Sequence, residues 1–247
     1  MQMRSSANWL YACLAVVALA GLPTVAAADD WDTCGKESGD LAVAGCSRAI
    51  DSHQYTGRSL ARLYAGRGVT YLAQGDLDHA MADFNESMRV DPTYARAYND
   101  RGITWYRTGD LDRAIADYDQ AIRLDPKDAV PYYNRAIAWD AKRDLDRAIA
   151  DYSEAIRLNP KDAVTYFNRG VDWSDKGNLD RAIADYSEAI LLNPKHASSY
   201  YNRGVAWVKK RSLQKALADF ETYSQLVPSD PDGPKSVERV KKELSAR

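Results

Sequence analysis

Apolar and polar positions along most of the chain follow the spacing of amphipathic helices, and the pattern repeats at a fixed interval. From residue 61 onward the period is 34 residues, and it is marked by Pro92, Pro126, Pro160, Pro194 and Pro228. Within each period, apolar or small residues fall at positions 4, 8 and 11 and again at positions 20, 24, 27 and 28. Each group covers one face of a helix, so every period predicts two amphipathic helices. The second of them should end before the proline.

Turn residues stand between the two predicted helices. Three periods place glycine where the first helix should end: Gly75, Gly109 and Gly177. The residue that follows is suited to capping the second helix in each case: Asp76, Asp110 and Asn178. Because glycine adopts the left-handed conformation of a helix end and a short polar side chain caps the next helix, each period predicts a helical hairpin.

The residue types at the repeated positions identify a family. Small residues occupy position 8: Gly68, Gly102, Ala136, Gly170 and Gly204. Alanine occupies position 20: Ala80, Ala114, Ala148, Ala182 and Ala216. Aromatic residues occupy position 24: Phe84, Tyr118, Tyr152, Tyr186 and Phe220. The unit resembles the tetratricopeptide repeat. The resemblance implies an all-α, right-handed α-solenoid of helix-turn-helix repeats, in which the first helices form a concave groove.

The register divides the chain into a leader, repeats and caps. The predicted segments are a signal peptide (1–28), a degenerate N-terminal capping repeat (29–60), five full repeats (61–94, 95–128, 129–162, 163–196 and 197–230) and a C-terminal capping helix (231–247). In the degenerate repeat, Ala42, Cys46, Ala49 and Ile50 match the second helix of the unit. In the last segment, Val237, Val240 and Leu244 form one apolar stripe on a charged helix, as expected where a stack of repeats ends.

The first 28 residues differ in character from the rest. A short polar start with Arg4 is followed by an apolar run, Trp9 to Leu22, and then by the small residues Ala26-Ala27-Ala28. This is the layout of a secretory signal peptide cut after Ala28, and a membrane anchor is the alternative. With the signal peptide removed we expect no membrane span, and a periplasmic or secreted bacterial protein.

Export would place the remaining cysteines in an oxidising compartment. Cleavage would remove Cys13 and leave Cys34 and Cys46, which are twelve residues apart. An isolated pair in an oxidising compartment predicts a disulfide, while two free thiols or a redox-active pair remain alternatives. We expect the bond to staple the degenerate first hairpin.

Charge and motif content exclude several functions. Lys and Arg total 33 against 35 Asp and Glu, a balance that argues against a nucleic-acid partner. No phosphate-binding loop, nucleophile elbow or zinc-protease motif occurs, and the three histidines fall at unrelated positions. Arginine at position 7 and aspartate at position 23 recur in every repeat, which predicts an Arg–Asp ladder, with two independent solvated rows as the alternative. We therefore expect neither an enzyme, nor a cofactor, nor a metal site.

Binding of a protein or peptide is the function that the resemblance implies. Family members line the groove with positions 2, 5, 9, 12 and 13. The candidate contact residues at positions 5 and 9 are Asn99, Ile103, Tyr133, Ile137, Phe167, Val171, Tyr201 and Val205. Their aliphatic and aromatic character suits an extended or helical apolar segment, although position 9 has the alternative of packing against the adjacent repeat. Charged groups could orient an anionic partner: Arg62, Arg96, Arg107 and Lys209, against Asp140 and Asp175.

Two functions remain open from the sequence. The first is a non-enzymatic adaptor that binds a segment of an envelope or secreted protein in its groove. The second is a structural subunit that associates with itself or with an envelope assembly. The family's asparagine that clamps a C-terminal carboxylate, at position 9, is absent from all five repeats, so we do not expect that mode of binding.

Overall fold

The computed structural model describes residues 25–246, and every regular element in that range is an α-helix. The helices are α1 (Val25–Lys36), α2 (Gly39–Asp51), α3 (Gly57–Gln74), α4 (Leu77–Val90), α5 (Ala95–Thr108), α6 (Leu111–Leu124), α7 (Ala129–Ala141), α8 (Leu145–Leu158), α9 (Ala163–Asp175), α10 (Leu179–Leu192), α11 (Ala197–Lys209), α12 (Leu213–Leu226) and α13 (Asp232–Ser245). The predicted signal peptide lies outside the described residues, except that residues 25–28 begin α1.

The described chain forms two compact units. The N-terminal unit contains α1 to α7 and ends at Lys142, and the C-terminal unit contains α8 to α13 and begins at Arg143. Within each unit, every helix packs against the next one in the chain. First helices of successive hairpins also touch: α3 contacts α5, α5 contacts α7, and α9 contacts α11. Stacked helical hairpins of this kind confirm the predicted all-α repeat fold.

The turns inside the hairpins are built as the sequence predicts. Gly75, Gly109 and Gly177 all have positive φ, between 79° and 87°. Arg143 and Arg211 occupy the same position in their repeats and are also left-handed, with φ of 63° and 59°. The backbone turn is therefore the same whether or not glycine is present.

Side-chain caps begin most of the second helices. The residue after the left-handed turn accepts a hydrogen bond from the backbone N–H three residues later, for Asp76, Asp110, Asp144 and Asn178. Each cap satisfies one of the free N–H groups of the first helical turn.

Small residues let the two helices of a hairpin approach closely. A methyl group added at Gly102 would lie 2.6 Å from Cε1 of Tyr118, and one at Gly170 would lie 2.8 Å from Cε1 of Tyr186. Both tyrosine rings are at most 1% exposed, and the alanines at position 20 are fully buried. The interior of each hairpin is therefore filled, and it has no room for a larger side chain at position 8.

The predicted Arg–Asp ladder is confirmed in both units. In the C-terminal unit, Arg169 donates through Nε and Nη2 to both carboxylate oxygens of Asp185, at 2.8 and 2.7 Å. Its Nη1 donates to Ser153 in the preceding hairpin at 3.0 Å. The same bidentate pairing holds for Arg67–Asp83, Arg101–Asp117 and Arg203–Asp219. Each arginine thus joins its own hairpin to the one before it.

The two ends of the chain close their units differently. At the start, a disulfide joins Cys34 of α1 to Cys46 of α2, as the sequence predicts. Cys46 is fully buried, beside Ala42 and Ala49. At the other end, α13 packs Val240 into the cluster of Leu213, Ala216 and Phe220, while its other residues are largely polar. The first hairpin, α1 and α2, is thus held together by a covalent bond, whereas the final helix, α13, is held by apolar packing.

Candidate functional site

We call the side of each unit that is formed by its first helices the first-helix face. In the N-terminal unit it comprises α3, α5 and α7, and in the C-terminal unit α9 and α11. Five of the eight predicted contact residues are half-buried: Ile103, Tyr133, Ile137, Tyr201 and Val205. Half-buried side chains are held by the fold and still keep surface for a partner.

The other three predicted contact residues are buried, which corrects the prediction that they contact a partner on this face. Phe167 is 0% exposed, Val171 is 2% exposed and Asn99 is 4% exposed. The ring centre of Phe167 lies 4.9 Å from that of His196 and 5.9 Å from that of Tyr186. Val171 belongs to the same apolar cluster. These two side chains therefore form the packing between hairpins and do not reach the surface.

Asn99 is buried because it joins two first helices through polar contacts. Its Oδ1 accepts a hydrogen bond from Nδ2 of Asn134 at 2.9 Å, which connects α5 to α7. Its Nδ2 donates to Oδ1 of Asp100 at 3.1 Å. The side chain is thus occupied by its own fold, and its role is to fix the position of α7 against α5.

Several half-buried residues also contribute to packing. The ring centre of Tyr201 lies 5.0 Å from that of Tyr223 and 5.6 Å from that of Phe220. Val205 packs against the cluster around Leu213. Ile103 packs against the apolar clusters on both sides of α5. For these positions the alternative of inter-repeat packing holds in part, and only their exposed edges can meet a partner.

Arg96, Asp100 and Arg107, three charged residues of α5, have partners within the described chain. Asp100 is buried, and its Oδ2 lies 3.4 Å from Nε of Arg96. Burial raises the pKa of the Asp100 carboxyl, and Arg96 opposes that shift. Arg107 donates from Nη1 to the backbone carbonyl of Leu72 at 2.6 Å, so it closes the end of α3.

His196 stands at the start of α11, where its ring contacts Phe167. Burial lowers the pKa of this imidazole, and Asp162 opposes the shift. Its Nδ1 lies 2.7 Å from Oγ of Ser199. The site is consistent with a neutral histidine that packs between two first helices.

Sequence reasoning missed Trp31, which lies on α1, a helix that contacts α3 at the N-terminal end of the first-helix face. Its ring centre lies 5.0 Å from that of Tyr55, and the guanidinium carbon of Arg62 lies 5.9 Å from it. Trp31 belongs to the degenerate hairpin, for which the 34-residue register gives no position. Its large aromatic side chain in a segment of weak repeat character was the available signal.

Between residues 25 and 246, no group of three or more His, Cys, Asp or Glu side chains is arranged to hold a metal ion. None of the helices described for this chain has both the length and the apolar character needed to cross a membrane.

Comparison with known families agrees with the repeat register. Three sequence models described as tetratricopeptide repeat match the chain, over residues 65–129, 129–162 and 175–241. No curated protein gives a significant match.

Solved structures with the same fold include three whose names are informative. A crystal structure of MamA is 25% identical over 66% of this chain and 95% of its own, with a TM-score of 0.62. YrrB, described as a TPR protein with an unusual peptide-binding site, is 21% identical over 80% of this chain and 97% of its own, with a TM-score of 0.64. PilW, described as a type IV pilus biogenesis factor, is 15% identical over 76% of this chain and 93% of its own, with a TM-score of 0.63.

Proposed function

We propose that this chain, which is built of tetratricopeptide repeats, is a non-enzymatic scaffold that binds a peptide segment of an envelope or secreted protein on its first-helix face. The observation that carries the proposal is the contact between successive first helices. In the N-terminal unit α5 contacts α7, and these two helices carry the half-buried Ile103, Tyr133 and Ile137. Partly exposed apolar side chains on a rigid support are the usual anchors of a peptide interface.

The named similarities support the same class of function. YrrB is described by its peptide-binding site, and it matches this chain over most of both lengths. The present face differs from a simple apolar groove because polar links such as Asn99–Asn134 lie beneath it. We therefore expect the bound segment to lie across Ile103, Tyr133 and Ile137 and to leave the buried Asn99 in place.

Export to the periplasm or medium is part of the proposal. The features that support it are the signal-like N-terminal sequence and the Cys34–Cys46 disulfide, which suits an oxidising compartment. Intact-mass measurement of exported protein should find Asp29 as the first residue and a mass that is two hydrogen atoms below that of the reduced chain. A retained Met1 or two titratable thiols would contradict export by this route.

Site-specific photo-crosslinking in living cells tests where the partner binds. A photoreactive residue at Ile137 should form an adduct with another protein, because Ile137 is half-buried on the first-helix face. The control is the same residue at Arg157, which is exposed on the second helix α8 and forms only an i,i+3 ion pair with Glu154. Adducts at Arg157 but not at Ile137 would place binding on the outer helices and refute the proposal.

A self-associating structural subunit is the second function considered. Its signature in the same experiment is an adduct of this chain with itself at Ile137. Light scattering across a range of concentrations gives an independent readout, because self-association raises the mean mass with concentration. A constant monomer mass together with a foreign adduct favours the scaffold.

A further inference from the structure

Arg62 differs from every comparable arginine in the described chain. It is half-buried near the start of α3, and it forms no ion pair with the side chains described between residues 30 and 246. All the other half-buried arginines in that range pair with an aspartate: Arg67 with Asp83, Arg96 with Asp100, Arg101 with Asp117, Arg135 with Asp119, Arg169 with Asp185 and Arg203 with Asp219. A partly desolvated guanidinium without a carboxylate is costly, which makes the exception informative.

The acidic residues of this region are already engaged. Four aspartates whose side chains are described belong to α1, α5 or the turn before α5, and each pairs with another cation: Asp30 with Arg48, Asp32 with Lys36, Asp91 with Arg58 and Asp100 with Arg96. None of these four pairs with Arg62. Among the described side chains, Arg62 is therefore a positive charge without a carboxylate partner, held in place near the start of α3.

Aromatic rings hold Arg62 and its neighbours. The guanidinium carbon of Arg62 lies 5.9 Å from the ring centre of Trp31, within the range of a cation–π contact. Arg58 lies 5.2 Å from the ring centre of Tyr94. Burial and the charge of Asp100 raise the pKa of Tyr94, while the charges of Arg96, Arg62 and Arg58 lower it, so Arg62 belongs to a positively charged region around this tyrosine.

This arrangement suits one kind of ligand group. A guanidinium offers a planar fork of N–H donors that matches a carboxylate, and stacking on an aromatic ring limits the freedom that binding would remove. The rings of Trp31 and Tyr55 lie 5.0 Å apart beside it and give apolar surface for residues that flank the acid. Later repeats lack the charge, because their residues at the register position of Arg62 and Arg96 are Val130, Val164 and Ser198.

We propose that Arg62, stacked on Trp31, binds the side-chain carboxylate of an Asp or Glu in the partner segment, so that the N-terminal end of the first-helix face selects acidic peptides. The inference rests on the proposed peptide-binding function and adds the chemistry of one position. The bound carboxylate takes the place that aspartate fills beside every other half-buried arginine.

Selection from a random dodecapeptide display library on the full mature chain tests the proposal. Three proteins are compared: the unmodified chain, Arg62→Gln and the control Arg113→Gln. The control removes an arginine that also stacks on a tryptophan, 4.4 Å from the ring centre of Trp105, but lies at the start of α6 beside its own Asp110. The unmodified chain and Arg113→Gln should both enrich peptides with Asp or Glu at one fixed place, and Arg62→Gln should lose that preference.

The outcomes separate the two proposals. Enriched peptides without an acidic preference, unchanged by Arg62→Gln, would overturn the role of Arg62 and leave peptide binding intact. Failure of all three proteins to enrich any peptide would overturn both. Melting curves of the variants show whether Arg62→Gln is folded, and Arg62→Lys, which keeps the charge, should retain part of the preference.

A double-mutant cycle with one selected peptide establishes direct contact. Replacing its acidic residue by the matching amide should weaken binding to the unmodified chain by about tenfold or more, as expected for a desolvated charge pair. The same replacement should change binding to Arg62→Gln by less than about twofold. Equal losses on both proteins would show that the carboxylate binds elsewhere.

Discussion

The hairpin interior and the first-helix face obey different rules in this protein. In the interior, position 8 is Gly or Ala, position 20 is Ala and position 24 is Phe or Tyr in all five full repeats. On the first helices, position 2, which is not buried in any full repeat, passes through Arg62, Arg96, Val130, Val164 and Ser198. The interior residues recur because the two helices of every hairpin pack together in the same way. Residues on the first-helix face are not held to these contacts, so they can vary to suit a binding partner.

The comparison has a sharp test in two aromatic residues at position 5. Phe167 is 0% exposed and packs between His196 and Tyr186, so Phe167→Ala should destabilise the chain by about 3–5 kcal/mol. Tyr133 occupies the same register but is half-buried, and Tyr133→Ala should cost less than half as much. Urea unfolding measures both. Equal losses would mean that position 5 is interior in every repeat and that the face is narrower than described.

Overpacking of the interior is the next largest effect. A side chain at Gly170 would meet the ring of Tyr186, with even a methyl carbon at 2.8 Å, so Gly170→Leu should cost about 2–3 kcal/mol. Gly177 has open space around it and a φ of 79°, so Gly177→Ala should cost only the left-handed penalty of about 1 kcal/mol. If Gly177→Ala proved the more damaging in unfolding experiments, close helix approach would not be what position 8 provides.

The Arg–Asp ladder separates interior charges from surface charges. Arg169 is 20% exposed and Asp185 is 8% exposed, so Arg169→Ala leaves a shielded carboxylate unpaired and should cost about 2–3 kcal/mol. Arg157→Ala removes an exposed i,i+3 pair with Glu154 and should change stability by less than about 0.5 kcal/mol. Arg169→Lys should recover only part of the loss, because lysine cannot bond both oxygens. If Arg169→Ala and Arg157→Ala lowered the free energy of unfolding by similar amounts, the ladder pairs would contribute no more to stability than exposed ion pairs do.

The same contrast explains what the sequence could predict. The helices, glycine turns, caps and ladder follow from positions that recur, because the fold uses each of them in the same way every time. The exposure of Phe167 could not be predicted, since its burial depends on His196, a residue that occurs at that register position in one repeat only. The lack of an ion-pair partner for Arg62 could not be predicted from the sequence either, because an ion pair depends on which carboxylates lie nearby in space.

Substitutions at the left-handed turn inside a hairpin should give the smallest changes in stability. Arg143 adopts φ of 63° at the position where three other repeats have glycine. Arg143→Gly should remove the left-handed strain and stabilise the chain by about 0.5–1 kcal/mol, after the greater freedom of glycine in the unfolded chain and the loss of an exposed contact with Asp175 are allowed for. The neighbouring Lys142 is right-handed, with φ of −79°, so Lys142→Gly should instead lower stability by a similar amount. If paired urea titrations show that Arg143→Gly raises the free energy of unfolding and Lys142→Gly lowers it, the left-handed conformation at this turn position is what favours glycine there. A loss for both would mean that the Arg143 side chain contributes more than its backbone conformation costs.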